Sequence, residues 1–232
     1  MLTEVGNLAQ FVRISHDMTD DAPCWPGTPK LVRRQFTSLD NGDVSNTCDL
    51  LLFNHFGTHL DAPNHYNPHG PTLEKVPLDR FIYEHPLLVD IPKRDQELVT
   101  RQELEPYAAQ LRDSDLILIR SGWGNLRGTQ PYRYAAEGPG VSPEACSYLL
   151  EFPHLKAVGM DFVSLAAYRK SEPEGTLAHQ ILCGLNSAGR YLIIIEDVNL
   201  ETVLGSPKRV YAMPLFVKGI DGGPCTVIAD IG

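Results

Sequence analysis

Four of the eight histidines fall close together in the chain, and an aspartate lies among them. They are His55, His59, His65 and His69, with Asp61 between the second and the third. Imidazole nitrogens and carboxylate oxygens are the side-chain donors that bind Zn²⁺, Mn²⁺ and Fe²⁺. An isolated histidine is more often a surface residue, but the spacing His-x₃-His-x-Asp-x₃-His predicts a metal site. His69, between Pro68 and Gly70, is assigned to a turn.

The spacing of the cluster predicts an extended segment with a bend. His55, His59 and Asp61 occupy odd positions, which share one face of an extended chain. A helix would point residues 59 and 61 about 200° apart, and Pro63 would interrupt it. On a straight strand, however, His55 and His59 would lie about 13 Å apart, too far to share one ion. We therefore expect a bulge or kink at Gly57, midway between them.

The donor count favours a catalytic site over a structural one. Two imidazoles and one carboxylate, from His55, His59 and Asp61, leave a coordination position open for water. His65 lies four residues beyond Asp61, on the far side of the rigid Pro63. We expect His65 to approach the site without binding the ion and to transfer protons.

Two residues later in the chain are candidates that the pattern alone does not decide. Glu196 directly follows the apolar run 192–195, and a carboxylate there is costly to bury unless it is paired or metal-bound. The alternative is a solvated strand end, which we expect for Asp197. His179 lies about 120° from the centre of an apolar helical stripe, where a boundary residue is the simpler interpretation.

Three further residues have both a functional and a structural interpretation. Trp25 lies in the turn cluster Pro23-Cys24-Trp25-Pro26-Gly27, where it could form one wall of a pocket for an aromatic substrate or fill the core. Asp161 and Ser164 follow an apolar run, and we expect helix N-capping by either rather than a role in the site.

The order of elements predicts a mixed α/β fold in a single domain, 1–232. A β-rich first third is followed by alternating strands and helices, which is typical of helices packed on a central sheet. The predicted strands and apolar runs are Phe11–Ser15, Leu31–Thr37, Thr47–Phe53, Leu87–Ile91, Asp115–Arg120, Leu155–Met160, Tyr191–Ile195, Val210–Val217 and Cys225–Ile231. The predicted helices run from the Thr100/Glu103 capping box to about Leu111, from Ser142-Pro143-Glu144 onward, and from Thr176 to about Leu185.

Composition excludes several partners. The 29 acidic and 20 basic residues give a net charge of −9, so nucleic acid and anionic membranes are poor partners. No apolar run reaches bilayer length, and Met1–Gln10 lacks the features of a signal peptide. The five scattered cysteines form no Cys-x-x-Cys pair, which favours free thiols in a reducing compartment. We therefore expect a cytoplasmic protein.

The segment 55–65 resembles the His-x-Gly-Thr-His-x-Asp-x-Pro-x-His motif of the metal-dependent cyclase family, which includes bacterial kynurenine formamidases and isatin hydrolases. Further landmarks of that family have counterparts in the same order and together span nearly the whole chain. They are Trp25-Pro26-Gly27, Ser121-Gly122-Trp123, Gly159-Met160-Asp161 and Gly219-Ile220-Asp221-Gly222. The resemblance implies a cyclase-like mixed α/β fold (swivelling β/β/α), with a barrel-like β core, surrounding helices, and assembly into homodimers or homotetramers.

The resemblance also implies roles for individual residues. His55, His59 and Asp61 would bind a first divalent ion, zinc or alternatively manganese. Asp61 would bridge to a second ion held also by His179 and Glu196. His65 would be the general acid and base, and Trp25 would lie beside an aromatic substrate.

The reaction implied is hydrolysis of an amide-type bond, in an N-formyl arylamine such as N-formylkynurenine or a cyclic amide such as isatin. Two stretches depart from the formamidases, the long connection from His179 to Glu196 with its loop Leu185–Gly189, and Ser164–Gly175. Because of these two departures, the resemblance does not determine the substrate or whether the second metal site is complete. Lactone hydrolysis or a polyketide-type cyclisation, and a metal-binding or ligand-binding module without turnover, are the alternatives. A cupin-type barrel is a weaker one, because helices are predicted between the strands.

Overall fold

The computed structural model describes residues 10–185 and 187–232. The N-terminal segment without signal-peptide features lies almost wholly outside the described residues, as does Asn186 in the predicted loop Leu185–Gly189. The described strands are β1 Phe11–Arg13, β2 Val32–Thr37, β3 Thr47–Leu51, β4 His59–Asp61, β5 Ile82–Tyr83, β6 Pro86–Asp90, β7 Leu98–Val99, β8 Leu116–Arg120, β9 Gly140–Val141, β10 Ala157–Met160, β11 Ile193–Glu196, β12 Arg209–Pro214 and β13 Gly222–Asp230. The described α-helices are α1 Arg101–Leu104, α2 Ala108–Asp113, α3 Pro131–Ala136, α4 Pro143–Leu149 and α5 Thr176–Leu182.

Nine strands form one mixed sheet in the order β5-β12-β13-β4-β11-β10-β8-β6, with β1 also paired to β13. Strands β6, β8, β10 and β11 are parallel to one another. Strand β4 is antiparallel to both of its neighbours, β11 and β13. The predicted mixed α/β fold is therefore confirmed, and β4 lies where the parallel and antiparallel parts of the sheet meet.

The sheet curls into a barrel-like core. One cluster of buried side chains includes Leu60 of β4, Leu118 of β8, Ile195 of β11 and Val227 of β13, so strands from distant parts of the sheet pack on common neighbours. The opposite face, with Ile119 and Ile194, packs in a second cluster with helices α4 and α5. Burial on both faces explains why β8 and β11 are continuous apolar runs rather than alternating ones.

The predicted helices form with shorter or interrupted boundaries. In the segment Thr100–Leu111, Glu103 accepts a hydrogen bond from Thr100 N (2.9 Å) as the capping box requires, but a 3₁₀ turn containing Pro106 separates α1 from α2. Helix α5 begins at Thr176 and ends at Leu182, whose carbonyl oxygen accepts a hydrogen bond from Leu192 N (2.9 Å). The end of α5 is therefore fixed against the segment that leads into β11.

Strand β13 begins three residues earlier than the predicted Cys225, at Gly222. The added residues pair with β4, Gly222 opposite Asp61 and Pro224 opposite His59. A long-range pairing thus extends the strand where local sequence, rich in glycine and proline, predicts a turn. In the described part of the chain, no helix has the length and hydrophobicity needed to cross a bilayer.

Candidate metal centre

A bend at Gly57 brings His55 back toward β4, as the sequence predicts. Gly57 has a φ of +64°, in the left-handed region that favours glycine. His59 and Asp61 follow on β4 and point to the same face. His55 Nδ1 then lies 2.8 Å from Asp61 Oδ1, and His59 Nε2 lies 3.6 Å from the same oxygen. The extended segment with a kink is therefore confirmed.

Glu196 joins this group through strand pairing rather than sequence proximity. It is opposite His59 in the β11–β4 ladder, and its Oε2 lies 3.3 Å from His59 Nε2. Its Oε1 accepts hydrogen bonds from Ser164 Oγ (3.1 Å) and from the backbone nitrogen of Leu165 (2.6 Å). Glu196 is buried and its carboxylate is oriented by these contacts, so it is not the solvated strand end that the sequence also allowed.

His179 reaches the same group from α5, on the helical face of the sheet. Its Nε2 lies 3.6 Å from Glu196 Oε1 and 4.0 Å from Asp61 Oδ2. His179 is almost fully buried, so its position on the flank of the apolar stripe is not that of a boundary residue.

Both buried histidines present one defined nitrogen to the carboxylates. His59 Nδ1 donates to the carbonyl oxygen of Gly57 (2.9 Å), and His179 Nδ1 donates to that of Gly175 (2.8 Å). Each Nε2 is left as a lone-pair donor. Metal-ligating histidines almost always donate their other ring nitrogen in this way, which fixes the tautomer and the ring orientation.

These residues fit a divalent ion. Donors held about 2.1 Å from a tetrahedral zinc ion lie roughly 3.4 Å apart, close to the 3.3, 3.6 and 3.6 Å separations of the His59–Glu196, His59–Asp61 and His179–Glu196 pairs. Among the described residues, Asp61 Oδ2 is a buried oxygen without a hydrogen-bond partner. An unpaired buried carboxylate oxygen is costly, and a cation between Asp61 and His179 would satisfy it.

The electrostatics of the group favour a positive charge at its centre. Burial alone would lower the pKa of His55, but Asp61 and Asp221 outweigh it and raise the pKa to about 10. Burial would likewise raise the pKa of Asp61 and Glu196, yet the surrounding histidines hold both pKa values well below the ordinary range. Both carboxylates are therefore ionised and able to act as ligands at neutral pH.

His65 lies at the edge of the group, in the 3₁₀ turn after β4. Its ring stacks on that of His55 with centroids 4.1 Å apart, and its Nδ1 lies 2.6 Å from Asp221 Oδ2. One nitrogen of His65 lies within 4.8 Å of donor atoms of both Asp61 and His179. His65 therefore approaches the ligand set and has a carboxylate partner of its own.

A pocket of about 290 Å³ opens onto the histidines. Trp25, Phe53, Tyr66, Val163 and Ala166 supply its apolar and aromatic lining. Trp25 is half-buried in the predicted turn and packs edge-on against Tyr168, with centroids 5.3 Å apart. The tryptophan thus forms a wall of the pocket and also packs against the edge of the main core.

Comparison with known proteins assigns the chain to a family. The model of the family described as "Putative cyclase" matches residues 12–167, more than half of the chain. The chain belongs to the cyclase family. This cyclase-family chain is 28% identical over 231 residues to Cyclase-like protein 1 of Arabidopsis thaliana, covering 97% of this chain and 86% of the relative. It is also 25% identical over 222 residues to the kynurenine formamidase of Bacillus mycoides, covering 95% of this chain and 97% of the relative.

The fold of this cyclase-family chain is that of solved relatives. Isatin hydrolase A from Labrenzia aggregata, bound to benzyl benzoate, superposes with a TM-score of 0.82 at 22% identity, covering 96% of this chain and 94% of that one. The resemblance inferred from the motifs and the cyclase-like fold that it implies are both confirmed.

Three expectations about polar residues near the centre of this cyclase-family fold are wrong. Asp197 is buried rather than solvated, because its carboxylate accepts two hydrogen bonds from Arg127 and one from Tyr134 Oη. Asp161 does not cap a helix but accepts hydrogen bonds from the backbone nitrogens of Ser121 (2.8 Å) and Gly122 (3.0 Å). Ser164 donates to Glu196, as described above, and so helps to orient a candidate ligand.

Asp221 also belongs to the centre, and the sequence analysis did not predict its contacts. Its carboxylate touches His55 and His65, although it lies more than 150 residues away along the chain. The motif Gly219-Ile220-Asp221-Gly222 was the available signal. It marks a family landmark but does not reveal which side chains the aspartate meets.

Proposed function

We propose that the chain is a metal-dependent hydrolase of an amide-type bond, in an N-formyl arylamine or a cyclic amide. The observation that carries this proposal is the convergence of three imidazoles and two ionised carboxylates beside His65 at the floor of an aromatic pocket. The relationship to a kynurenine formamidase and the fold shared with isatin hydrolase support the same reaction class.

One or two divalent ions, zinc or alternatively manganese, would be held by the buried donors. His55, His59 and Asp61 would hold the first ion, and Asp61, His179 and Glu196 the second. A bound ion supplies Lewis-acid polarisation of the carbonyl group and a lowered pKa for the attacking water.

His65 is assigned the proton transfers. Its Nδ1 faces Asp221, which leaves Nε2 free to accept a proton. Nε2 would take a proton from the attacking water and return it to the leaving nitrogen, which must be protonated to depart as an amine. The ring of His55, stacked on that of His65 with centroids 4.1 Å apart, would restrict rotation of the His65 ring.

The pocket favours a neutral aromatic substrate. Within the described residues its lining contains no lysine or arginine, and Glu172 and Glu196 are the acidic members. Away from the histidines and the metal site, a carboxylate on the substrate would find no lysine or arginine to pair with, whereas an aromatic ring would pack against Trp25, Phe53 and Tyr66. Trp25 is therefore the proposed substrate-binding residue.

A small substrate panel tests the proposal on zinc-loaded and manganese-loaded protein. Formate release from N-formylkynurenine, ring opening of isatin, and hydrolysis of an aromatic lactone are measured for wild type, His59→Ala and His65→Ala. We expect His65→Ala to retain its metal and to lose on the order of 10²- to 10⁴-fold in kcat, as for other general acid–base residues. His59→Ala should lose both metal and activity.

His69→Ala is the matched control, since His69 lies in an exposed turn only four residues from His65. It should keep wild-type rates. The proposal fails if wild type is no faster than His59→Ala and His65→Ala on every amide and imide. Turnover of the lactone alone would favour the lactonase or cyclase reaction, and ligand binding without turnover would favour a binding module.

We also propose that the protein assembles as a homodimer or homotetramer through the β2–β3 hairpin. Every residue of the two strands except Thr37 is exposed. Val32 lies opposite Leu51, and 52% and 70% of these residues are accessible. An isolated two-stranded hairpin is marginally stable in water, and exposed apolar faces of this kind mark interfaces. A second copy of the chain is the partner that would cover it.

Charge substitution on the hairpin tests this assembly. In the double variant Val32→Lys/Leu51→Glu the two side chains can still pair across the strands, so the hairpin is kept while its apolar face is removed. Light scattering after gel filtration should give a dimeric or tetrameric wild type and a variant of lower mass. Leu204→Glu, at an exposed apolar residue outside the hairpin, should leave the mass unchanged. A monomeric wild type would contradict the proposal.

A further inference from the structure

One carboxylate, that of Asp221, contacts three side chains of the site at once. Its Oδ2 lies 2.6 Å from His65 Nδ1 and 3.1 Å from His55 Nε2, and its Oδ1 accepts a hydrogen bond from Asn54 Nδ2 (2.8 Å). The 2.6 Å separation is that of a charge-assisted hydrogen bond. Asp221 is therefore a hydrogen-bond partner of the two histidines.

The backbone around Asp221 is fixed by the strand that carries the ligands. The carbonyl oxygen of Asp221 accepts a hydrogen bond from Ala62 N (2.8 Å), directly after β4. The next residue, Gly222, pairs with Asp61 and lies against the His55 ring, where a Cβ would come within 2.7 Å of His55 Cε1. The position of the carboxylate relative to both rings is thus set by the sheet and by the absence of a side chain at residue 222.

The contacts determine where the ring protons lie. A carboxylate oxygen only accepts hydrogen bonds, so both ring nitrogens that face Oδ2 must carry hydrogen. For a neutral His65 this selects the tautomer with hydrogen on Nδ1 and a lone pair on Nε2. An imidazole without such a partner exchanges between two tautomers, and in the other one Nε2 cannot accept a proton.

We infer that Asp221 is a positioning residue that fixes the tautomer and ring orientation of His65 and, through the same oxygen, anchors the metal-ligand candidate His55. The catalytic meaning of this inference rests on the proposed function, but the positioning itself does not. Because the same oxygen of Asp221 contacts both rings, it fixes the position of His65 relative to the metal-ligand candidate His55. Sub-ångström placement of this kind is what positions a base for catalysis.

Asp221→Asn tests the hydrogen bonds and charge of Asp221 without changing the size of the side chain, because the amide has the shape of the carboxylate. With its oxygen toward the histidines, the amide nitrogen faces the donor Nδ2 of Asn54. With the amide reversed, its nitrogen faces the two ring N–H groups. In the first orientation Asn54 can accept only by turning its own amide, which gives up its hydrogen bond to the carbonyl oxygen of Gly222 (3.4 Å). The contacts of Asn54 and of the histidines therefore cannot all be kept.

The first measurement is spectroscopic and needs no substrate. The ¹⁵N chemical shifts of the His65 ring, in ¹⁵N-histidine-labelled, zinc-loaded protein in basic buffer, report which nitrogen carries hydrogen; the His65→Gln variant gives the assignment. Wild type should show hydrogen on Nδ1, and Asp221→Asn a mixture or the opposite tautomer. Zinc affinity, measured by competition with a chelator, should fall by about 10- to 100-fold, the usual effect of losing the partner of a ligating histidine.

The second measurement is kinetic, on whichever substrate of the panel is turned over. Asp221→Asn should lower kcat by about 10- to 100-fold with KM nearly unchanged, because Asp221 does not line the pocket. Asn54→Ala, which removes the contact that orients the carboxylate together with a long hydrogen bond to the carbonyl oxygen of Gly222 (3.4 Å), should shift the tautomer in the same direction by less. It also keeps the inference testable if Asp221→Asn fails to fold.

Glu74→Gln is the matched control for a purely structural role of the segment. Glu74 Oε2 accepts a hydrogen bond from Gly219 N (3.0 Å), two residues before Asp221, and touches neither histidine. It should leave the tautomer and the zinc affinity unchanged. A folded Asp221→Asn with wild-type tautomer and zinc affinity would overturn the inference, as would equal losses in Glu74→Gln. If no substrate is turned over, the proposed function fails while the spectroscopic result still decides the role of Asp221.

Discussion

Asp61→Asn is expected to abolish metal binding and to lower kcat/KM by on the order of 10³-fold. Asp61 is in contact with His55 on one side, and its unpaired Oδ2 faces His179 on the other, so one substitution affects both halves of the ligand set. Loss of the several kcal/mol that a Lewis acid supplies in the transition state corresponds to a factor of this size. Elemental analysis and steady-state rates on the same preparation measure both effects.

Thermal unfolding gives a readout that does not depend on turnover. An ion present at 100 times its dissociation constant stabilises the folded state by about 2.7 kcal/mol, so a chelator should lower the Tm of wild type. The Tm of Asp61→Asn should not respond to the chelator. Asp79→Asn, at an exposed aspartate, should behave as wild type in all three measurements. Wild-type metal content in Asp61→Asn would show that Asp61 is not a ligand.

The local part of the site could be predicted from sequence because its geometry is set by neighbours in the chain. Alternation along an extended segment places His59 and Asp61 on one face, and Gly57 is the residue that allows the bend toward His55. The strand β8 and the capping box before α1 are local signals of the same kind. Each depends on interactions among residues only a few positions apart.

The remainder depends on which strands pair, and spacing along the chain carries little information about that. Glu196 lies beside His59 because β11 pairs with β4. His179 lies near both because α5 packs against the face of the sheet that carries Ile194. From the residues alone both stayed undecided, and the family resemblance was needed to place them in the ligand set. Asp221 and Asp197 were missed or misassigned because the side chains to which they are hydrogen-bonded lie 63 to 167 residues away along the chain.

Arg127→Met is expected to lower the free energy of unfolding by about 3–5 kcal/mol, the usual cost of removing one partner of a buried ion pair. The guanidinium of Arg127 donates to both oxygens of Asp197 at 2.8 Å, and the Asp197 side chain is 1% exposed. Burial would lower the pKa of Arg127, yet Asp197 outweighs it and raises the pKa, so the arginine stays charged. Urea denaturation of the chelated protein measures the loss without a contribution from bound metal.

Arg133→Met is the matched control, because Arg133 forms an exposed pair with Asp95 and such pairs contribute at most about 1 kcal/mol.

Asp197 directly follows Glu196 and has a φ of +55°, a conformation that asparagine tolerates, so Asp197→Asn keeps the backbone and removes the charge. The double variant Arg127→Met/Asp197→Asn should therefore be more stable than Arg127→Met alone, since no carboxylate is left buried without its partner. If the single and double variants are equally unstable, the loss comes from packing of the arginine and not from an unpaired charge beside Glu196.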